Sequence, residues 1–403
     1  MARFLFAVPP FPGHVNPTLA IGAELLSRGH QVGWGSFDPS LAPRIPAGGD
    51  FLQLESFLTP AQEEWARKEI EKLRHQTVYG IDSLLFLYEK ALLPMNRFML
   101  AAIEQKLDEY HPDVLINDHQ VFAGAVVALR CKLPYVSSVT APAAIVAHPQ
   151  LPMIYKWESE QVVKFQQEAG IAGDERLDCS RRLTLVYTSE AFFGYSGLPE
   201  YFHFIGPVLT ARPERDIPFD WERFRAMPPH PVVLVSIGTS FAYSERQAFF
   251  EKVMEALGNE PLNVVMVSDP ALFPACPDNF LICPLIPQLQ LLNAVNVVVC
   301  HAGQNIVCEA ISASLPLVTL PIAYDQSHVA GCVERSGAGI RLNFNRFKAP
   351  LLRDAVYRAL NDETIHARVE AVRQSFLAAG GAKRGAELIE AATASVTARH
   401  HKN

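Results

Sequence analysis

The chain has 403 residues, 49% of them hydrophobic and 19% charged, which is enough apolar material for about two hydrophobic cores and too much for a disordered protein. Its formal net charge of −7 argues against a general nucleic-acid binder, which would be basic, and makes any phosphate site a local one. The seven cysteines form no CxxC pair and several lie in apolar runs, a pattern that suits a reducing cytosol better than secretion.

The opening "MARFLFAVPPFPGH" has a short apolar run that ends in prolines, so residues 3–8 read as a buried strand and not as a signal peptide. "PPFPGHVN" then reads as a loop, and "NPTLAIGAELLSRGH" as a helix that starts at Asn16–Pro17 and stops at Gly29. "QVGWGS" is the second strand, which completes a βαβ unit. Further strands are expected at 112–119 and 134–139, with a helix between them. Residues 60–110 read as long helices rich in aromatic and aliphatic side chains. Residues 140–200 read as irregular, with Met153, Tyr155, Trp157, Phe192, Phe193 and Tyr195. In an open α/β domain such insertions cover the carboxyl ends of the strands, where ligands bind. The longest apolar stretch, 121–147, is broken by Arg130, Lys132 and Pro134, so nothing approaches the roughly 18 uninterrupted apolar residues of a membrane span.

Residues 206–231 hold six prolines and read as an interdomain linker. The alternation of strands and helices then restarts, with strands at "VVLVSIG" (232–238), "LNVVMVS", "FLICPLIP", "VNVVVC" and "PLVTLP". This predicts an α/β protein with parallel sheets covered by helices on both faces. Two doubly wound domains are expected at 1–205 and 232–380, joined by the linker 206–231. Residues 381–403 form a C-terminal helix and tail expected to pack back on the first domain.

The stretch "CHAGQNIVCEA" (300–310) leaves an aliphatic strand through His301 and Gly303, then places Asn305 and Glu309 on the following helix. Free amides at a helix N-terminus attract phosphate, a glycine lets the backbone come close, and His301 and Asn305 can add donors. Glu309 lies one turn on, where it can accept from a ribose diol. An ordinary strand–helix turn with a capping asparagine would read the same way. Asp325–Gln326 ends a second strand with groups suited to sugar hydroxyls, and Pro287–Gln288 precedes another helix. Gly238, Thr239 and Ser240 form a small polar loop that can touch phosphate. Each alone is more often structural, but together they are four polar loops at the strand ends of one sheet.

The order "VSIGTS … IPQLQLL … HAGQNIVCEA … LPLVTLPIAYDQ" resembles the donor-binding signature of glycosyltransferase family 1. "FIGP" (204–207) and "GHVNPTLAIGAELLSRGH" match that family's pre-linker stretch and first loop and helix. The resemblance implies the GT-B fold, two Rossmann-like domains facing a cleft, and a nucleotide-sugar co-substrate used without metal or other cofactor. It implies that His301, Asn305 and the Gly303 backbone contact the pyrophosphate. Glu309 would hold the ribose, and Gln288 and the Ile286 backbone would lie near the base. Asp325 and Gln326 would bind the transferred sugar, and Thr239, beside Gly238, would sit near the phosphates. Where many relatives carry a tryptophan that stacks on uracil, this chain has Leu285. Where many carry Ser or Thr after the asparagine, it has Ile306. Both departures point to the bacterial natural-product or carotenoid branch.

His14 follows the first strand, and an imidazole with a pKa near 6.5 suits a general base for a hydroxyl at neutral pH. The resemblance places its orienting carboxylate at Asp118, with His119 a bystander. A nicotinamide dehydrogenase is disfavoured because no GxGxxG follows either first strand, and a P-loop kinase because GxxxxGK[ST] is absent. No local metal spacing is present. A nucleotide-sugar epimerase would want more carboxylates and no apolar acceptor half. A catalytically silent auxiliary protein would be signalled by loss of the base or the donor loop. The expected activity is therefore inverting O-glycosyl transfer from a UDP- or dTDP-sugar to a hydroxyl of a lipophilic small molecule, a polyketide, macrolide or aromatic aglycone, or alternatively a carotenoid. Expected with it are a cytoplasmic monomer or homodimer, peripheral at a membrane if the acceptor is a lipid, and no nucleic-acid partner.

Overall fold

The computed structural model describes residues 1–55, 64, 68, 78–146, 152–209, 217–238 and 243–400. Thr239, Ser240 and much of the helix expected after residue 60 lie outside the described residues. The chain divides into two compact units, one of Met1–Arg67, Leu85–Pro213 and Phe376–Asn403, the other of Lys68–Leu84 and Glu214–Ser375. Residues 68–84 thus group with the second unit, and the last division falls at 375/376 instead of at residue 380.

The first unit holds seven strands: β1 (Arg3–Ala7), β2 (Gln31–Ser36), β3 (Asp50–Gln53), β4 (Val114–Asp118), β5 (Tyr135–Val139), β6 (Thr184–Val186) and β7 (Phe202–Phe204). All pair in parallel, in the order β3-β2-β1-β4-β5-β6-β7. The period of two along β1 shows how both faces are covered. Phe4 and Phe6 pack with Leu19, Ile21 and Leu25 of the helix Pro12–Ser27, whereas Leu5 and Ala7 pack with Met99, Ile103 and Val126 of helices on the opposite face. The C-terminal helix Gly381–His400 belongs to this unit. Its Ile389 joins the first of these cores, and its Glu390 pairs with Arg28 at 2.8 Å and His30 at 2.9 Å.

The second unit repeats the plan with six strands: β8 (Val232–Ser236), β9 (Asn263–Val267), β10 (Phe280–Cys283), β11 (Val297–Cys300), β12 (Leu317–Thr319) and β13 (Gly339–Arg341). Their order is β10-β9-β8-β11-β12-β13, again all parallel. In each sheet the order reverses once, beside β1 and β4 in the first and beside β8 and β11 in the second. Ligands bind at such switch points, outside the carboxyl ends of the strands.

Two local expectations are corrected. The helix after β1 begins at Pro12, inside the stretch read as a loop, and Pro17 lies within it. Proline is well placed at a first helical position, because the N–H it lacks would be unpaired there. The region 140–200 is not irregular throughout. It contains the helix Pro152–Glu168 and strand β6, and β7 follows. β6 and β7 have three residues each, too few for a period of two to register.

Gly22 packs where a Cβ would come within 2.1 Å of the buried Trp34 ring. That indole is held by its Nε1–H donating to Thr18 Oγ1 at 3.1 Å. Gly22→Ala is therefore expected to destabilise the first unit by about 2 kcal/mol through overpacking, read as a lowered unfolding temperature.

Candidate active site

His14 stands in the first turn of the helix Pro12–Ser27, not in a loop. Asp118 is the last residue of β4, the neighbour of β1. The switch point of the first sheet therefore brings the two together across 104 positions, with His14 Nδ1 3.0 Å from Asp118 Oδ2 and 3.1 Å from Oδ1. Thr140, just after β5, completes the group. Its Oγ1 donates to Asp118 Oδ2 at 3.0 Å and lies 2.6 Å from His14 Nδ1. Asp118 also accepts from the Gln120 amide at 2.9 Å. Burial alone would raise the Asp118 carboxyl. The charge and hydrogen bond of His14, with His119 and the Gln120 amide, outweigh it and hold the pKa below the ordinary value. An ionised carboxylate only accepts, so in a neutral His14 ring the proton sits on Nδ1 and Nε2 carries the lone pair.

Thr140 was not singled out from the sequence, although a threonine ending the strand beside β4 was a readable signal. His119, expected to be a bystander, lies against the centre. Its ring stacks on that of His14 at 6.0 Å and 13°, and its Nδ1 is 3.6 Å from Asp118 Oδ1. It is 1% exposed, and among the described residues neither ring nitrogen has a hydrogen-bond partner. Burial lowers its pKa, with Asp118 opposing. His14, Asp118 and His119 are also the grouping among the described residues that brings three potential metal-ligand atoms within 4.8 Å of one another.

The aromatic side chains of the insertions are largely core. Tyr88 stacks on Phe122 and meets Trp157 edge-on at 5.5 Å, and Phe192 and Phe193 are buried. Met153 and Tyr195 are exposed. A buried polar group unseen in the sequence lies among them. Arg176 grips Asp178 at 3.0 and 2.6 Å, and nearby Glu158 is pushed up to about 7 by burial, which Arg176 opposes.

Several residues expected to bind the donor follow strands at or near the second switch point. Gly238 follows β8 at φ +65, and His301 follows β11. The His301 ring lies between two glycines, since a Cβ on Gly238 would come within 2.9 Å of it and one on Gly303 within 2.7 Å. Burial pushes its pKa down to about 4, against the backbone of Ser236, and Arg246 acts in the same direction. Arg246 also donates to the Gly238 carbonyl at 2.7 Å, a cation that the sequence reading did not pick out. Gly303 is the N-cap of the helix Gln304–Ser312 and offers no capping side chain, and Asn305 lies in the first turn.

Glu309, only 2% exposed on that helix, accepts from Gln288 Nε2 at the start of the helix Gln288–Leu292. Ile286 is buried, whereas Leu285 is 64% exposed. Asp325 is the N-cap of the helix Gln326–Ser336. The Gln326 side chain turns inward, where its Oε1 accepts from the amides of Ile322 and Ala323 at 2.9 and 3.0 Å. Two non-glycine residues at these strand ends, Ala302 (φ +64) and Tyr324 (φ +55), are left-handed, and such strain clusters at functional sites.

Residues 191–374 match the family model described as UDP-glucoronosyl and UDP-glucosyl transferase. Among curated proteins, the NDP-glycosyltransferase YjiC of Bacillus subtilis (strain 168) is 28% identical over 395 residues, 95% of each chain. The zeaxanthin glucosyltransferase of Pseudescherichia vulneris is 26% identical over 98% of each chain. Among solved structures, the calicheamicin glycosyltransferase CalG4 superposes with a TM-score of 0.73 at 25% identity, over 98% of this chain and 99% of that one. The chain is similar over its whole length to glycosyltransferases, and its residues 191–374 match the model of family 1. Its two parallel sheets are the Rossmann-like domains of the family's GT-B fold.

A histidine in an unfolded chain titrates near 6.5, whereas His301 in the fold does so at about 4. Between those values the unfolded chain binds a proton that the folded one refuses. Stability contributed by neutral His301 is therefore complete above about pH 6.5 and falls as pH drops towards 4. His301→Gln is expected to flatten this acid loss in thermal unfolding scans of the second unit.

Proposed function

We propose that this glycosyltransferase is an inverting, metal-independent O-glycosyltransferase that uses a UDP- or dTDP-sugar and acts on a hydroxyl of a lipophilic small molecule. The observation that carries the reading is the His14–Asp118–Thr140 group, whose contacts at Nδ1 leave the lone pair of a neutral imidazole on Nε2. His14 Nε2 takes the acceptor proton as the hydroxyl oxygen attacks the anomeric carbon. The bond to the nucleoside diphosphate breaks on the opposite face, which inverts the centre. Asp118 stabilises the imidazolium that forms.

The leaving diphosphate is assigned to the open N-terminus of the helix Gln304–Ser312, beside His301, Gly303 and Asn305. Arg246 adds positive charge. Glu309 accepts from the ribose, with Gln288 already on it, and the Ile286 backbone lies near the base. Asp325 faces the sugar hydroxyls. Gln326 contributes through its amide nitrogen, because its oxygen is used inside the loop. Thr239, which lies outside the described residues, is assigned to the phosphates from the sequence alone. The names of the zeaxanthin and calicheamicin relatives support a large lipophilic acceptor, and the first keeps a carotenoid as the second reading. A silent auxiliary protein is disfavoured because base, orienter and donor residues are all present. Among the described residues no helix is long and apolar enough to cross a membrane. We assign the protein to the cytoplasm, at a membrane surface if its acceptor is a lipid.

General acid–base catalysis is worth about 10²–10⁴-fold. His14→Ala is expected to lower transfer to a panel of phenolic and macrolide aglycones by that order while leaving nucleotide binding intact. A variant that keeps most of its turnover would remove His14 from the role of base. Turnover of the native enzyme is expected to persist in excess EDTA.

A further inference from the structure

The loop that carries Asp325 and Gln326 is held by a segment distant in sequence. Residues 68–84 group with the second unit, and within them Gly80 forms a parallel bridge to Ala323. The Gly80 amide donates to the Ile322 carbonyl at 3.4 Å. Ser83, fully buried, donates its hydroxyl to the Gly80 carbonyl and accepts from the Tyr324 amide at 2.7 Å, across 241 positions. Tyr79 packs on the core that includes Ile322 and Ala323. Gln326 Oε1 takes the amides of those same two residues. Three consecutive amides, 322, 323 and 324, are therefore each fixed by a side chain, two by Gln326 and one by Ser83. Tyr324 is the left-handed residue of the loop, a conformation that persists only where its surroundings over-determine it. Asp325 follows it directly.

We propose that Ser83 is a positioning residue for the sugar end of the donor. By holding the Tyr324 amide it sets Asp325 and Gln326 against the sugar hydroxyls, so residues 79–83 complete the donor site from the first half of the chain. This rests on the assignment of Asp325 and Gln326 to the sugar in the proposed function. Without the hydroxyl the Tyr324 N–H loses its acceptor and the loop leaves its left-handed turn. The damage falls on recognition of the sugar. The residues assigned to the nucleotide, Gln288, His301 and Glu309, lie on other elements and are untouched.

The test is calorimetric titration of the full chain with UDP and UDP-glucose, or with dTDP and dTDP-glucose if those are what the wild type binds. A buried amide left without its partner corresponds to roughly a tenfold loss or more. Ser83→Ala is expected to weaken the sugar nucleotide about tenfold while nucleoside diphosphate affinity stays within about twofold. Ser83→Thr, which keeps the hydroxyl, is expected to retain the wild-type ratio. Should Ser83→Ala fail to fold, Gly80→Ala disturbs the same bridge at a left-handed glycine (φ +58) and is expected to show the same split. Equal losses for both ligands, or no loss for either, would overturn the positioning role. A wild type that binds neither nucleoside diphosphate would instead overturn the proposed function itself, so the two failures are distinguishable.

Discussion

The structure depends on a constraint of parallel sheets. Strands that run the same way need crossover helices, and where strand order reverses, the helices after neighbouring strands leave on opposite faces and open a crevice at the carboxyl ends. Both sheets of this chain reverse once. His14 and Asp118 follow or end the pair at the first reversal, and Gly238 and His301 follow the pair at the second. Residues far apart in sequence become neighbours because the backbone has no other place to put the ends of these strands.

Electrostatics at the two reversals follow from burial. Asp118 is fully buried and would be pushed towards neutrality. His14, Thr140 and the Gln120 amide keep it ionised, and an ionised Asp118 in turn fixes the imidazole tautomer. At the other reversal the burial of His301 outweighs the opposing Ser236 backbone and favours the neutral ring. Positive potential at this reversal then comes from the helix amides that follow Gly303 and from Arg246, the sources the proposed diphosphate site relies on. A chain with a net charge of −7 needs such a local source. The glycines on both sides of His301 have a steric reason to be there, since a side chain on either would collide with the ring.

Much of this was legible in the sequence because it lies in long apolar strands followed by unusual polar residues. β1, β4, β8 and β11 announce themselves by runs of aliphatic side chains, and His14, Asp118 and His301 stand out at their ends. The short strands β3, β6, β7 and β13 did not, because their three or four residues carry no period and no unbroken aliphatic run. The helix start at Pro12 was missed because two prolines and a glycine before His14 look like a loop, although proline at a first helical position is favourable. Thr140, Arg246 and Ser83 act through contacts across 22, 8 and 241 positions. No local pattern marks Arg246 or Ser83, so only the fold reveals them, whereas Thr140 could have been read from its place just after β5. Gln326 was named from the sequence, but that its oxygen turns inward to the amides of Ile322 and Ala323 required coordinates.

The central claim is that the second switch point binds a nucleoside diphosphate through its phosphates. The most direct measurement compares UDP, dTDP and uridine in metal-free calorimetric titrations of the wild-type protein. The account predicts that UDP or dTDP binds in the presence of EDTA and that uridine binds far more weakly, because the helix Gln304–Ser312 and its neighbours contact the diphosphate. Absence of binding by both diphosphates, or uridine binding as tightly as UDP, would contradict it.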